Sequence, residues 1–131
     1  MPERISAEPT LHDASGDVPA LHGRRCIGCG RPFFPPQDYG CEACGAGPGS
    51  LVAEDLPGTG TLVASVEVPR RGATSFRVAT IVLDSGPAIR AMLDAPRGVK
   101  PGTKVRSTLV RSGERDGNEV VELHFVPAGD C

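Results

Sequence analysis

The stretch RRCIGCGRPFFPPQDYGCEACGAG, residues 24–47, holds four of the five cysteines in a chain of 131 residues. They form two Cys-x-x-Cys pairs, Cys26/Cys29 and Cys41/Cys44, with eleven residues between the pairs. Zinc takes four soft ligands at the corners of a tetrahedron, and two such knuckles deliver two thiolates each from tight turns. A glycine follows each pair, Gly30 and Gly45. A positive φ at these positions turns backbone N–H groups toward the sulfurs and offsets the charge of a metal tetrathiolate. The pattern predicts one structural zinc bound by Cys26, Cys29, Cys41 and Cys44. Iron in a rubredoxin-type site uses similar knuckles, usually inside a richer aromatic shell. A thioredoxin-like redox pair needs a helix N-terminus in a βαβ context, which neither pair has.

Four thiolates leave no coordination position for water or substrate, so the predicted metal staples a segment too small to fold alone. Between the knuckles lies Arg31-Pro32-Phe33-Phe34-Pro35-Pro36. Packing alone puts one phenylalanine under the metal and the other against a neighbouring core. The functional alternative is an apolar docking edge for a partner protein, made by Phe33, Phe34, Pro35 and Pro36.

Downstream of the knuckles, SLVAEDLPGTG reads as a short strand and a glycine-rich connection. From residue 60 the apolar period is two. In TLVASVEVP, Leu62, Ala64, Val66 and Val68 share one face, with Thr61, Ser65 and Glu67 opposite. FRVATIVLDSG, a denser apolar run, is a second strand. PAIRAMLDA, a third candidate, has Ala, Met and Leu that also suit a helix, but its tight link to that strand favours a hairpin. TKVRSTLVR is the fourth. In the fifth, EVVELHFVP, Val121, Leu123 and Phe125 face the core while Glu122 and His124 face away. Five short strands without a long helix predict closure into a small barrel. A mainly β, five-stranded Greek-key barrel of the OB type is expected, with an SH3-like barrel as the alternative. The predicted division is a tail or short helix over residues 1–21, a zinc ribbon over 22–50 and the barrel over 51–131.

Seventeen glycines and thirteen prolines agree with tight turns and short strands. The net charge of −2 lacks the positive balance of a dedicated nucleic-acid binder. Eight acidic and four basic residues precede Gly58, and eight acidic and ten basic ones follow, a weak cationic bias. No run approaches the ~20 apolar residues of a membrane span, and the amino terminus lacks a signal-peptide core. A cytoplasmic location is expected. His12, His22 and His124 have no partner recognisable in sequence, and the one spare thiol, Cys131, is the last residue. The GTG at 58–60 is too short for a phosphate loop. The chain reads as non-catalytic. Arg70, Arg71, Arg77, Arg90, Arg97, Lys100, Lys104 and Arg106 are ordinarily solvated, with Phe76 and Phe125 as the strands' only aromatics.

The order of CIGCGRPFFPP, CEACG, LPGTGTLVASVEV, VATIVLDSG and KPGTKV resembles the DUF35 family over residues 22–127. That family joins a rubredoxin-like zinc ribbon to an OB-fold. The resemblance implies an accessory subunit of a thiolase-type acyl-CoA enzyme, in a hetero-oligomer whose catalytic residues belong to the larger partner. Related modules accompany a MaoC-like hydratase or an aldol lyase. Under that reading Arg70, Arg71, Arg77 and Lys100 are candidate contacts for CoA phosphates. A stand-alone single-stranded nucleic-acid module and a small electron carrier are the competing classes. The family's aromatic N-terminal helix is not matched by residues 1–20.

Overall fold

The computed structural model describes residues 4–95 and 99–128. Arg97 and Cys131 therefore lie outside the described residues. Among the described residues nine strands carry nearly all of the regular structure: β1 (Arg4–Ser6), β2 (Leu21–Cys26), β3 (Pro32–Phe33), β4 (Leu51–Leu56), β5 (Thr59–Arg70), β6 (Ala73–Leu83), β7 (Ala88–Leu93), β8 (Lys104–Arg115) and β9 (Asn118–Pro127). A 3-10 turn, Pro48–Ser50, precedes β4. Among the described residues no helix is long and apolar enough to cross a membrane.

The five strands from β5 to β9 close on themselves in the order β5-β6-β7-β9-β8, with β8 returning to β5. The β7–β9 pair is parallel and the others are antiparallel. This is the OB-type Greek-key barrel, and the strand order settles the choice that periodicity left open. The PAIRAMLDA segment is the predicted hairpin partner, pairing Ala88–Met92 against Val78–Val82. The last turn is tighter than the run SGERDGN suggests. Strand β8 continues to Arg115, and only Asp116 and Gly117, both at positive φ, close the hairpin.

The alternation expected in β5 breaks at a bulge between Leu62 and Ala64. Leu62 is buried, but beyond the bulge Ser65 takes the place opposite buried Ala79, and Val66 is 61% exposed. One extra residue shifts the strand by half a period and exchanges its faces. The predicted apolar face of Leu62, Ala64, Val66 and Val68 therefore breaks after Leu62: Ala64 and Val66 are exposed, and Val68 is half-buried. His124 keeps to the face it shares with Glu122, opposite Phe125, but it is not solvated there. The residue is buried, because Asp94 and Glu122 close around its ring.

Residues 4–21 form neither a tail nor a helix. Strand β1 pairs in parallel with β9 through Arg4, Ile5 and Ser6, and His12 bridges Leu21. The pairing with β9 joins residues more than a hundred positions apart, so no local pattern announces it. Likewise β4, assigned from sequence to the barrel, pairs with β2 over its full length from Leu51 to Leu56. The ribbon sheet is thus β3-β2-β4.

The two units share one core. Leu21 opens β2, Leu56 ends β4, and the two are register partners. Both are fully buried with Leu62, Ile81, Leu83, Leu93, Val105 and Phe125 of the barrel. Each leucine contributes about 2 kcal/mol by leaving water. The link between the units passes through Gly58, whose carbonyl accepts a bond of 2.6 Å from the Ser107 N–H. The buried Ser107 hydroxyl donates to the Pro19 carbonyl at 2.6 Å. The glycines of GTG serve this close approach: a Cβ on Gly58 would lie 2.0 Å from Ser107 Oγ, and one on Gly60 would lie 2.5 Å from the Val82 carbonyl.

Candidate metal centre and its surroundings

The two knuckles are local copies of one another. The Gly30 N–H donates to the Cys26 carbonyl at 2.7 Å, and the Gly45 N–H to the Cys41 carbonyl at 3.0 Å. The Cys26 N–H reaches the Arg31 carbonyl and the Cys41 N–H the Ala46 carbonyl, each five residues on. Gly30 and Gly45 both have φ of 79°, the left-handed backbone expected from sequence.

This repetition brings all four sulfurs within 4.8 Å of one another. Across the knuckles, Cys26 and Cys44 sulfurs are 3.6 Å apart and Cys29 and Cys41 sulfurs 3.7 Å. A tetrahedral ion with Zn–S bonds of about 2.3 Å requires sulfurs about 3.8 Å apart, so the cluster fits zinc. Cys26 and Cys41 are buried, while Cys29 and Cys44 are exposed. The Cys41 thiol is pulled down to about 7, first by the backbone N–H of Cys44, with the Ala43 N–H assisting against the effect of burial. On Cys44 the Ala46 N–H also pulls downward, but bonding with the Cys26 and Cys41 sulfurs outweighs it and pushes the thiol up to about 11. Four thiolates do not coexist at this spacing without a cation, and one divalent ion at their centre displaces the remaining protons.

Only Cys26, Cys41 and Leu51 are buried in the ribbon's own cluster, with Phe33 and Ala46 against them. Phe34, the next residue, packs instead on the barrel core. The two phenylalanines therefore divide between metal and barrel, as packing predicted. Replacing Phe34 with alanine should cost about 2 kcal/mol, below the full penalty for a buried Phe because this ring is half-exposed. Urea denaturation of the zinc-loaded protein measures it. Phe33, Phe34 and Pro35 also line an open cleft of about 430 Å³, with Arg31, Glu42 and Pro87. Pro36 faces a different hollow beside His22 and Arg24.

The candidate phosphate contacts are less united. Arg70 and Arg77 line one cleft of about 330 Å³, together with Asp94 and His124. The Arg70 guanidinium lies 5.1 Å from the Phe76 ring centroid and donates to the Thr74 carbonyl. Arg77 donates to the Ser65 hydroxyl at 3.2 Å. Arg71 sits in the turn after β5, and Lys100 precedes β8, so neither lines that cleft.

Sequence reasoning missed the partners of the histidines. His12 Nδ1 donates to the Asp13 carbonyl at 2.7 Å, and the ring contacts the Ser6 hydroxyl. His22 faces Asp55 at 2.9 Å through Nδ1 and Asp13 at 3.0 Å through Nε2. His124 faces Asp94 at 2.8 Å and Glu122 at 2.6 Å. Of these, only Glu122, two positions before His124 on one strand, was legible from period two.

Against this geometry, residues 14–48 match the family model "ChsH2, rubredoxin-like zinc ribbon domain". No curated protein matches the chain. Among solved structures, a chain of the Ltp2-ChsH2(DUF35) aldolase shares 23% identity at a TM-score of 0.61, over 84% of this chain and 86% of that one. A DUF35-family protein of unknown function from Sulfolobus solfataricus shares 17% identity at a TM-score of 0.49, over 79% of this chain and 75% of that one. In residues 14–48 the protein thus carries a ChsH2-type rubredoxin-like zinc ribbon, built for one structural zinc and joined to a barrel in the fold of the DUF35 proteins.

Proposed function

We propose that this protein is a non-catalytic, zinc-stapled accessory subunit of a heteromeric acyl-CoA enzyme, with a thiolase-type catalytic partner. The observation that carries this reading is the ribbon and barrel in one fold with a chain of the Ltp2-ChsH2(DUF35) aldolase. The chemistry agrees with it. Four thiolates complete the metal's shell, leaving no site for Lewis-acid catalysis. The ring nitrogens of His22 and His124 are turned to carboxylates. The subunit supports its partner and borders the partner's CoA or acyl channel, with Arg70 and Arg77 the better placed of the candidate phosphate contacts. Phe33, Phe34, Pro35 and Pro36 form the candidate docking edge. The aldolase likeness favours a second reading, in which the partner is an aldol lyase.

Purification of the tagged chain from its native host, followed by identification of stoichiometric partners, tests the proposal. Recovery with a thiolase-like enzyme supports it, and recovery with an aldolase selects the second reading. Turnover of acyl-CoA by the chain alone, or recovery with RNA in a salt-sensitive complex, overturns both.

A further inference from the structure

The amino-terminal segment runs from the barrel to the ribbon. At one end β1 pairs with β9. At the other, the His22 N–H donates to the Leu11 carbonyl at 2.7 Å and His12 bridges Leu21. Between these points Ala7, Glu8, Leu11 and His12 wall an apolar cleft of about 270 Å³, whose other side includes Phe34 and Met92. The Ala7 N–H also donates to the Val121 carbonyl at 2.8 Å, and the Pro19 carbonyl accepts from the Ser107 hydroxyl. A further tie is ionic: the His22 ring stands between Asp13 of the segment and Asp55 of β4.

A carboxylate only accepts hydrogen bonds, so holding one at each ring nitrogen requires two N–H groups, which imidazolium has and neutral imidazole lacks. We propose that Asp13, His22 and Asp55 form a proton-dependent clasp fastening the amino-terminal segment to the ribbon sheet. The bond to Asp55 is the largest influence raising the His22 pKa above 6.5, with Asp13 adding to it and partial burial opposing. On deprotonation the single remaining proton stays toward Asp55. Asp13, 72% exposed, then faces a lone pair and turns to water. The other charged groups around the ring do not replace it. Arg24 is paired with Asp38 at 2.9 Å, and Glu54, beside Asp55, is paired with Arg25 at 2.9 Å.

Because the folded pKa is raised, the clasp's contribution is fully present below about pH 6.5, the ordinary histidine value, and is lost as pH rises through the folded value. An exposed pair of this kind changes a local opening equilibrium by about two- to five-fold. The zinc-loaded full chain, titrated by NMR from pH 5 to pH 9, provides the test. The Leu11 and Asp13 amide shifts should follow the His22 ring with one midpoint. Exchange of the His12 and His22 amides, corrected for the intrinsic effect of pH, should quicken about two- to five-fold across it. Asp13→Asn should lower the midpoint and remove the coupled change, while Asp17→Asn, with the same charge difference, should leave both in place. A His22 titration that the segment amides ignore, or an unchanged midpoint in Asp13→Asn, overturns the clasp.

Discussion

Removing zinc with a chelator, or replacing Cys26 with serine, is expected to unfold the ribbon over residues 21–56. Zinc held by tetrahedral protein ligands contributes about 10–16 kcal/mol in small metal-dependent domains, which exceeds what a module of this size supplies by packing. The ribbon's own cluster has three buried members, two of which are metal ligands. The loss should propagate, because Leu21 and Leu56 belong at once to ribbon strands and to the barrel core. Native mass spectrometry should show one zinc per chain in the parent and none in Cys26→Ser. Hydrogen exchange should show protection lost first in β2 and β4, with barrel amides weakened but still protected. Unchanged protection in a zinc-free protein would rule out the metal as the ribbon's staple.

The second large effect is expected from Gly58→Ala. The added methyl would lie 2.0 Å from Ser107 Oγ and 2.4 Å from the Pro19 carbonyl, which are themselves hydrogen-bonded in the interior. Neither group is the free end of a flexible side chain, so the strand or the connection must move. Overpacking together with a weakened buried hydrogen bond costs about 3 kcal/mol. Gly47→Ala is the matched control. Gly47 has φ of −69° and nothing within 4 Å of its added Cβ, so its change should stay within about 0.5 kcal/mol. Chemical denaturation of the two variants side by side decides it, and equal midpoints would show that the approach at Gly58 relaxes freely.

The contrast between these glycines shows how far local sequence reaches. Gly30 and Gly45 were readable because a knuckle repeats a short-range rule: the residue after each Cys-x-x-Cys must take positive φ. Gly58 was not, since its reason is the side chain of Ser107, forty-nine positions away. The same distinction governs the strands. Three of the five barrel strands carried a period of two, FRVATIVLDSG showed as a dense apolar run, and PAIRAMLDA was placed by its tight link to that run. The bulge after Leu62 did not show itself, because an extra residue leaves the composition of a strand unaltered while exchanging its faces.

The metal centre was the most legible part of the molecule. Its ligands lie within nineteen residues, and soft-ligand chemistry admits few other uses for two glycine-followed knuckles. The histidine environments were the least legible. Asp94 and His124 are thirty positions apart, and Asp55 and His22 thirty-three. An isolated aspartate in sequence carries no sign of the ring it will face.

By itself the sequence determined the metal site, the β class and the number of barrel strands. These follow from interactions within a turn, a strand or a knuckle, where spacing along the chain stands in for distance in space. Tertiary structure alone decided that β4 joins the ribbon, that the amino-terminal segment lies on β9, and that two histidines stand between carboxylates. Those outcomes depend on which distant edges and charges the closed barrel brings together, and chain closure erases the relation between separation in sequence and separation in space.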